Sequence, residues 1–172
     1  VCSSDLSGNI FLGDTPLQDY DMTSWRHSCG VVLQDSHVFS ESLARNIAVE
    51  DKHIDRTRLR TAARQANLEE FIEKLPLKYQ TMVGAEGVGL SRGQEQRIFI
   101  ARALYKDPSF VFLDEATNSL DANNERIITG NLLDFCKGRT VLIVAHRLST
   151  IRHADKIVVL HKGRIVEEGT HD

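Results

Sequence analysis

Three short apolar runs constrain this chain more than anything else in it. VVLQ (31–34), FVFLDE (110–115) and LIVAH (142–146) each carry a hydrophobic stretch into a polar side chain. Runs of this length, apolar throughout and separated by helical periodicity, are the mark of strands buried on both faces in a parallel sheet. The stretch after Ser91 keeps that rhythm: helix to 105, strand SFVFLDE, helix from about Asn123 to Phe135, strand RTVLIVAH, a short helix near 148–153, strand KIVVLH. A Lys162-Gly163 turn then joins KIVVLH to RIVEEG as an antiparallel hairpin. The expected fold class is α/β, a mostly parallel sheet covered by helices on both faces.

The carboxyl ends of parallel strands share one edge, and ligands bind there. Gln34, the Asp114–Glu115 pair and His146 are therefore expected to open onto one crevice. Any one of them alone reads as a strand that happens to stop at a polar residue; three together, with adjacent carboxylates, point to chemistry. Phosphoryl transfer to water fits these residue types. A hard Mg²⁺ prefers carboxylate and water oxygens, which suits Asp114. Glu115 would act on the attacking water, His146 would hydrogen-bond a γ-phosphate, and Gln34 would reach both metal and water.

An anion site is expected beside them. In GLSRGQEQRIFIARAL (89–104), Ile98, Ala101 and Leu104 recur at helical spacing, with Gln94, Glu95 and Arg97 on a polar face. Ser91 is a good N-cap, and Gly93 leaves the first turn's backbone uncovered, so its N–H groups can take a phosphate.

The remaining composition excludes more than it assigns. A formal net charge of −3 with no long Lys/Arg block gives no reason to expect nucleic acid. Cys2, Cys29 and Cys136 are odd in number and widely spaced, against a disulfide framework or a zinc site. Cys29 opens a strand and reads as a core thiol, and Trp25, Phe71 and Tyr79 read as packing. The six histidines other than His146 lack metal-ligand grouping. VLIV (141–144) is far below membrane-spanning length. Between Ser36 and Lys78 three helical pieces are expected, at 40–47, 55–67 and 67–75, with no convincing strand, as an all-helical block set into the α/β core. Ahead of the core, NIFLG (9–13) is a strand, whereas residues 1–6 fit no element and read as a non-native scar.

These residues resemble the ATP-binding-cassette (ABC) ATPases. LSRGQ, that is Leu90, Ser91, Arg92, Gly93 and Gln94, is similar to the family's signature LSGGQ. FVFLDEATNSLD (110–121) resembles its Walker B strand and catalytic glutamate, followed by a D-loop of Ser119, Leu120 and Asp121. Gln34 sits at the Q-loop position and AHRLST (145–150) resembles the switch-histidine segment. Order and spacing agree from about Gly8 to the end. The resemblance implies a P-loop NTPase-like fold, incomplete at its N-terminus, with a core of 7–35 and 88–172 and a helical subdomain at about 36–87. It implies ATP and Mg²⁺ as cofactors, with Glu115, His146 and Gln34 catalytic, Asp114 and Gln34 toward the metal, and the signature residues binding a second domain's ATP.

Two departures stand out. Arg92 replaces the signature's first Gly, and no G-x-x-x-x-G-K-[ST] loop occurs anywhere in the chain. The Gly cluster at 84–93 follows no clear strand and reads as an ordinary loop. The resemblance places the P-loop upstream, in a portion not carried here. The 172 residues alone are thus expected to fold poorly and to have little or no ATPase activity. DSHVFSESLARNI (35–47), TMVGAEG (81–87) and the segment 145–171 resemble the exporter branch. That implies a transmembrane domain and a second nucleotide-binding domain, head to tail, as partners at the cytoplasmic face of the inner membrane. LDEATNSLDANNE resembles, more narrowly, peptide exporters with a leader-cleaving peptidase domain. The alternatives are a soluble ABC ATPase of nucleic-acid repair, which would need heptad arms this chain lacks, and a non-hydrolysing regulatory module.

Overall fold

The computed structural model describes residues 8–146 and 148–171, and the expectations for Cys2 and residues 1–6 lie outside that range. A minimal hairpin of β1 (Phe11–Leu12) and β2 (Thr15–Pro16) leads to α1 (Met22–Ser28). Asp21 caps α1, its carboxylate accepting the Ser24 N–H at 2.7 Å. Strand β3 (Cys29–Val32) follows, then β4 (Glu41–Ser42), α2 (Leu43–Ile47), α3 (Arg56–Gln65), α4 (Glu69–Glu73) and β5 (Met82–Val83). The second half runs α5 (Arg92–Lys106), β6 (Phe110–Asp114), α6 (Ala122–Cys136), β7 (Thr140–Val144), α7 (Leu148–Ile151), β8 (Ile157–His161) and β9 (Arg164–Gly169).

The central sheet is parallel, in the order β3-β6-β7. Its register aligns Val32 with Leu113 and Leu113 with Ile143, so all three strands end level. Helix α5 is the hub of the packing. It touches β3 on one side and α2 and α3 on the other. Ile98 and Ile100 are fully buried, and Phe99, Ala101, Ala103, Leu104 and Tyr105 are buried with them. A helix apolar on every side is a core helix, so the two-faced helix expected from the sequence holds only for its first two turns.

The block between β3 and α5 is not wholly helical. β4 and β5 pair as a two-residue antiparallel ribbon, Glu41 against Val83 and Ser42 against Met82. Asn46, completely buried, builds this corner: its Oδ1 accepts the Phe39 N–H at 2.8 Å, and its Nδ2 donates to the Phe39 and Ser42 carbonyls at 3.0 and 3.2 Å. The ribbon is therefore made by a side-chain network and not by strand propensity. The Gly-rich stretch after β5 has the same close geometry. Gly84 takes φ +92°, and a Cβ on Gly87 would fall 2.4 Å from the Met82 carbonyl oxygen.

Coverage of the sheet is one-sided at its far strand. β7 alternates, with Leu142 58% and Val144 50% exposed, so it is not the doubly buried strand that its letters suggest. The β8–β9 hairpin is antiparallel as expected, forms a sheet of its own, and leaves Leu160, Ile165 and Val166 exposed.

Candidate active site

Two of the three strands, β3 and β7, stop one residue before their apolar letters do. β3 ends at Val32, β6 at Asp114 and β7 at Val144, so Gln34, Glu115 and His146 stand in the turns just beyond. Because the strands are parallel and level, all three residues leave the same edge of the sheet. Asp114, the last residue of β6, is half-buried there, whereas Gln34 is exposed.

Glu115 and His146 meet. The His146 Nε2 lies 2.8 Å from Glu115 Oε1, with the glutamate side chain 18% exposed and the imidazole 79%. The second carboxylate oxygen, Oε2, accepts a short hydrogen bond from Asn118 Nδ2. Glu115 takes φ +49°, left-handed backbone that a side chain longer than that of Asn rarely adopts. It is held there from both sides: its N–H donates to the Val144 carbonyl at 3.1 Å, and its carbonyl accepts from Asn118 N–H at 3.1 Å and Gln96 Nε2 at 2.9 Å. Backbone strain anchored this firmly is a feature of working sites.

Ser91 caps α5 through a complete capping box. Its Oγ accepts the Gln94 N–H at 3.3 Å, and its own N–H donates to Gln94 Oε1 at 2.8 Å. Leu90 packs against the core, and Arg92 opens the helix with its side chain exposed. Gly93 packs tightly on its neighbour: a Cβ there would sit 3.2 Å from the Ser119 carbonyl oxygen, so the loop would have to give by a few tenths of an ångström. The amides of Arg92 and Gly93 precede the first intrahelical donor, which leaves the positive end of α5 facing the loop after β6.

That loop runs into α6 through Leu120, which is buried, and Asp121, which caps the helix by accepting the Asn123 and Asn124 N–H groups at 3.1 Å. The Asn124 side-chain amide also donates to Asp121, and this bond, with the backbone N–H bonds, holds the carboxyl below its ordinary range. Asn124 Oδ1 accepts in turn from Asn67 Nδ2 at 2.7 Å, and Arg97 Nη1 donates to the Asn67 carbonyl at 2.6 Å. Burial pushes the Arg97 guanidinium down without neutralising it.

With this geometry in hand, comparison with known proteins decides the family. The family profile described as "ABC transporter" matches residues 3–118. The chain belongs to the ABC transporter family. It is 49% identical over 164 residues to the "ATP-dependent lipid A-core flippase" of Legionella pneumophila (strain Paris), covering 95% of this chain and 28% of that protein. It is 46% identical over 165 residues to the "Toxin RTX-I translocation ATP-binding protein" of Actinobacillus pleuropneumoniae, covering 96% and 23%. Among solved structures, "Structure of a bacterial Atm1-family ABC exporter with ATP bound" superposes with TM-score 0.90 at 38% identity, over 96% of this chain and 29% of that one. This ABC domain thus spans under a third of its relatives, which are exporters, and its P-loop NTPase-like α/β fold is theirs.

Sequence reasoning about this ABC domain overlooked Gln96, Asn118 and Asn124, and set Arg97 on a polar face without naming its partners. Arg97 is half-buried, bonded to the Gly93 carbonyl at 3.2 Å besides Asn67. For Gln96 a signal was present: it falls three residues after Gly93, on the face that the signature turn presents. For Asn118 and Asn124 there was none, because their partners come from turns and caps that periodicity does not reveal.

Proposed function

We propose that this chain is the nucleotide-hydrolysing part of a longer ABC exporter, coupling ATP hydrolysis to movement of a substrate across a membrane. The observation that carries this reading is the Glu115–His146 contact of 2.8 Å at the level ends of two parallel strands. A carboxylate beside an imidazole there can orient a water and take its proton while the imidazole faces the leaving phosphoryl group. Gln34, leaving the neighbouring strand, would complete the set.

The donor set fits Mg-ATP. Asp114 and the Gln34 side-chain carbonyl are hard oxygen donors leaving adjacent strands, the kind of ligand that Mg²⁺ accepts. The bare turn at Gly93 fits a phosphate where a Cβ would crowd Ser119. When bound, the metal would neutralise charge developing on the β- and γ-oxygens. Ser91 and the Gly93 amide would hold the γ-phosphate of a nucleotide seated on a second, head-to-tail domain. Leu90 and Gln94 would fix the turn's shape, and Ser119, Leu120 and Asp121 would carry the loop between the domains. The chain contains no P-loop sequence, so the main phosphate grip comes from elsewhere in the longer protein, and these residues alone would hydrolyse little ATP.

In this reading the segment 36–87 works as the helical subdomain, and its edge from Gln34 to Asn46 docks a transmembrane domain at the cytoplasmic face. A peptide cargo and an upstream peptidase domain belong to the same proposal, on the likeness of residues 113–125 to peptide exporters.

The test is Glu115→Gln in the longer exporter. Turnover of Mg-ATP should fall by about 10²-fold or more, while ATP still binds. Turnover within about twofold of the parent would remove Glu115 from the reaction.

A further inference from the structure

Gln96 lies one turn beyond the signature residues on α5, and both functions of its amide are in use. Nε2 donates to the Glu115 carbonyl at 2.9 Å, and Oε1 accepts the Ser119 N–H at 2.8 Å. The side chain therefore spans the base of the loop 115–119 and ties both of its ends to a helix whose apolar residues from Ile98 to Tyr105 are buried. Within the loop, the Asn118 N–H donates to the Glu115 carbonyl and the Leu120 N–H to the Thr117 carbonyl, both at 3.1 Å, and the Asn118 side-chain amide donates to the Glu115 carboxylate. Glu115 meanwhile sits at φ +49°, a conformation that persists only where surroundings enforce it.

The same residue carries the carboxylate that meets His146, so the direction of that carboxylate depends on the left-handed turn. Gly93, three residues before Gln96, packs against the Ser119 carbonyl from the same helix face. Helix α5 thus grips the loop twice, by close approach at Gly93 and by a paired hydrogen bond at Gln96.

We propose that Gln96 is a positioning residue for the reaction: it locks the backbone of Glu115 to the signature helix. A shift of α5 when its N-terminus takes a phosphate is then transmitted to the Glu115 carboxylate of the same chain. The inference rests on the reading of Glu115 as the group that acts on water.

Gln96→Met keeps the volume and removes both hydrogen bonds. In the longer exporter this variant should lower kcat for Mg-ATP by about tenfold or more, with KM moving less than about twofold. Gln96→Glu keeps the acceptor for Ser119 and sets an oxygen against the Glu115 carbonyl, so its kcat should be no better than that of the Met variant. A kcat within about twofold of the parent in either variant, or a loss carried by KM alone, overturns the proposal. Amide hydrogen exchange at Ser119 supplies a readout free of turnover. The amide should be protected in the parent protein and exchange at least about tenfold faster in Gln96→Met. An unprotected Ser119 amide in the parent overturns the proposal even if the Met variant does not fold. If instead Glu115→Gln leaves turnover intact, the reading of Glu115 fails, and the Ser119 exchange still reports on the clamp separately.

Discussion

Asp121 shows how one side chain joins a helix cap to the loop after β6. It caps α6 through two backbone N–H groups and takes a third bond from the Asn124 amide. These bonds favour the charged form and hold its carboxyl below the ordinary value near 4. A depressed carboxyl stabilises the fold fully above the unfolded-state value, and that contribution fades as pH falls through the folded-state value below it. Asp121→Asn keeps a competent cap and removes the titration. Its stability at pH 7 should match the parent closely, while its loss of stability from about pH 4 downward should be shallower in chemical denaturation curves. An acid limb identical to the parent's would show that the Asp121 carboxylate contributes nothing there.

Helices and strands were legible where one period dominates. The N-cap Ser91 announces α5 in the letters and accepts a backbone N–H as a cap should, whereas Asp55 and Asp121 emerge as the caps of α3 and α6 only in the structure. The β4–β5 ribbon was not legible, since buried Asn46 builds it through contacts seven residues away. The level strand ends were readable, but the turn that follows was not. Glu115 reads as the last letter of a strand, and only its bonds to Val144, Asn118 and Gln96 turn it into left-handed backbone. Apolar letters also say nothing of what covers them. Ile98 in α5 is fully buried, while Leu160 in β8 is 69% exposed. Ile98→Ala should therefore cost about 2–5 kcal/mol and Leu160→Ala less than about 0.5 kcal/mol, measured by urea unfolding of the longer protein's whole nucleotide-binding domain. Equal losses would mean that the hairpin belongs to the same cooperative core as α5.

At the scale of the molecule, function follows from topology. Gln34, Asp114, Glu115 and His146 lie up to 112 residues apart in the chain (146 − 34). Three parallel strands ending level are what bring them to one edge. Helix α5 then carries the capped signature turn at its N-terminus and the hub of the core along its length, so that turn and the sheet edge share one support. The chain belongs to the ABC transporter family, and under the function proposed above this edge would act on a nucleotide. The central claim is that Glu115 and His146, delivered by separate strands, act as one unit on that nucleotide. A double-mutant cycle on Mg-ATP turnover by the longer exporter tests it most directly, with Glu115→Gln, His146→Ala and both together. Each single change should cost about 10²-fold or more, and the pair no more than the worse single, as for groups that work as a unit. Losses that simply multiply would contradict the account.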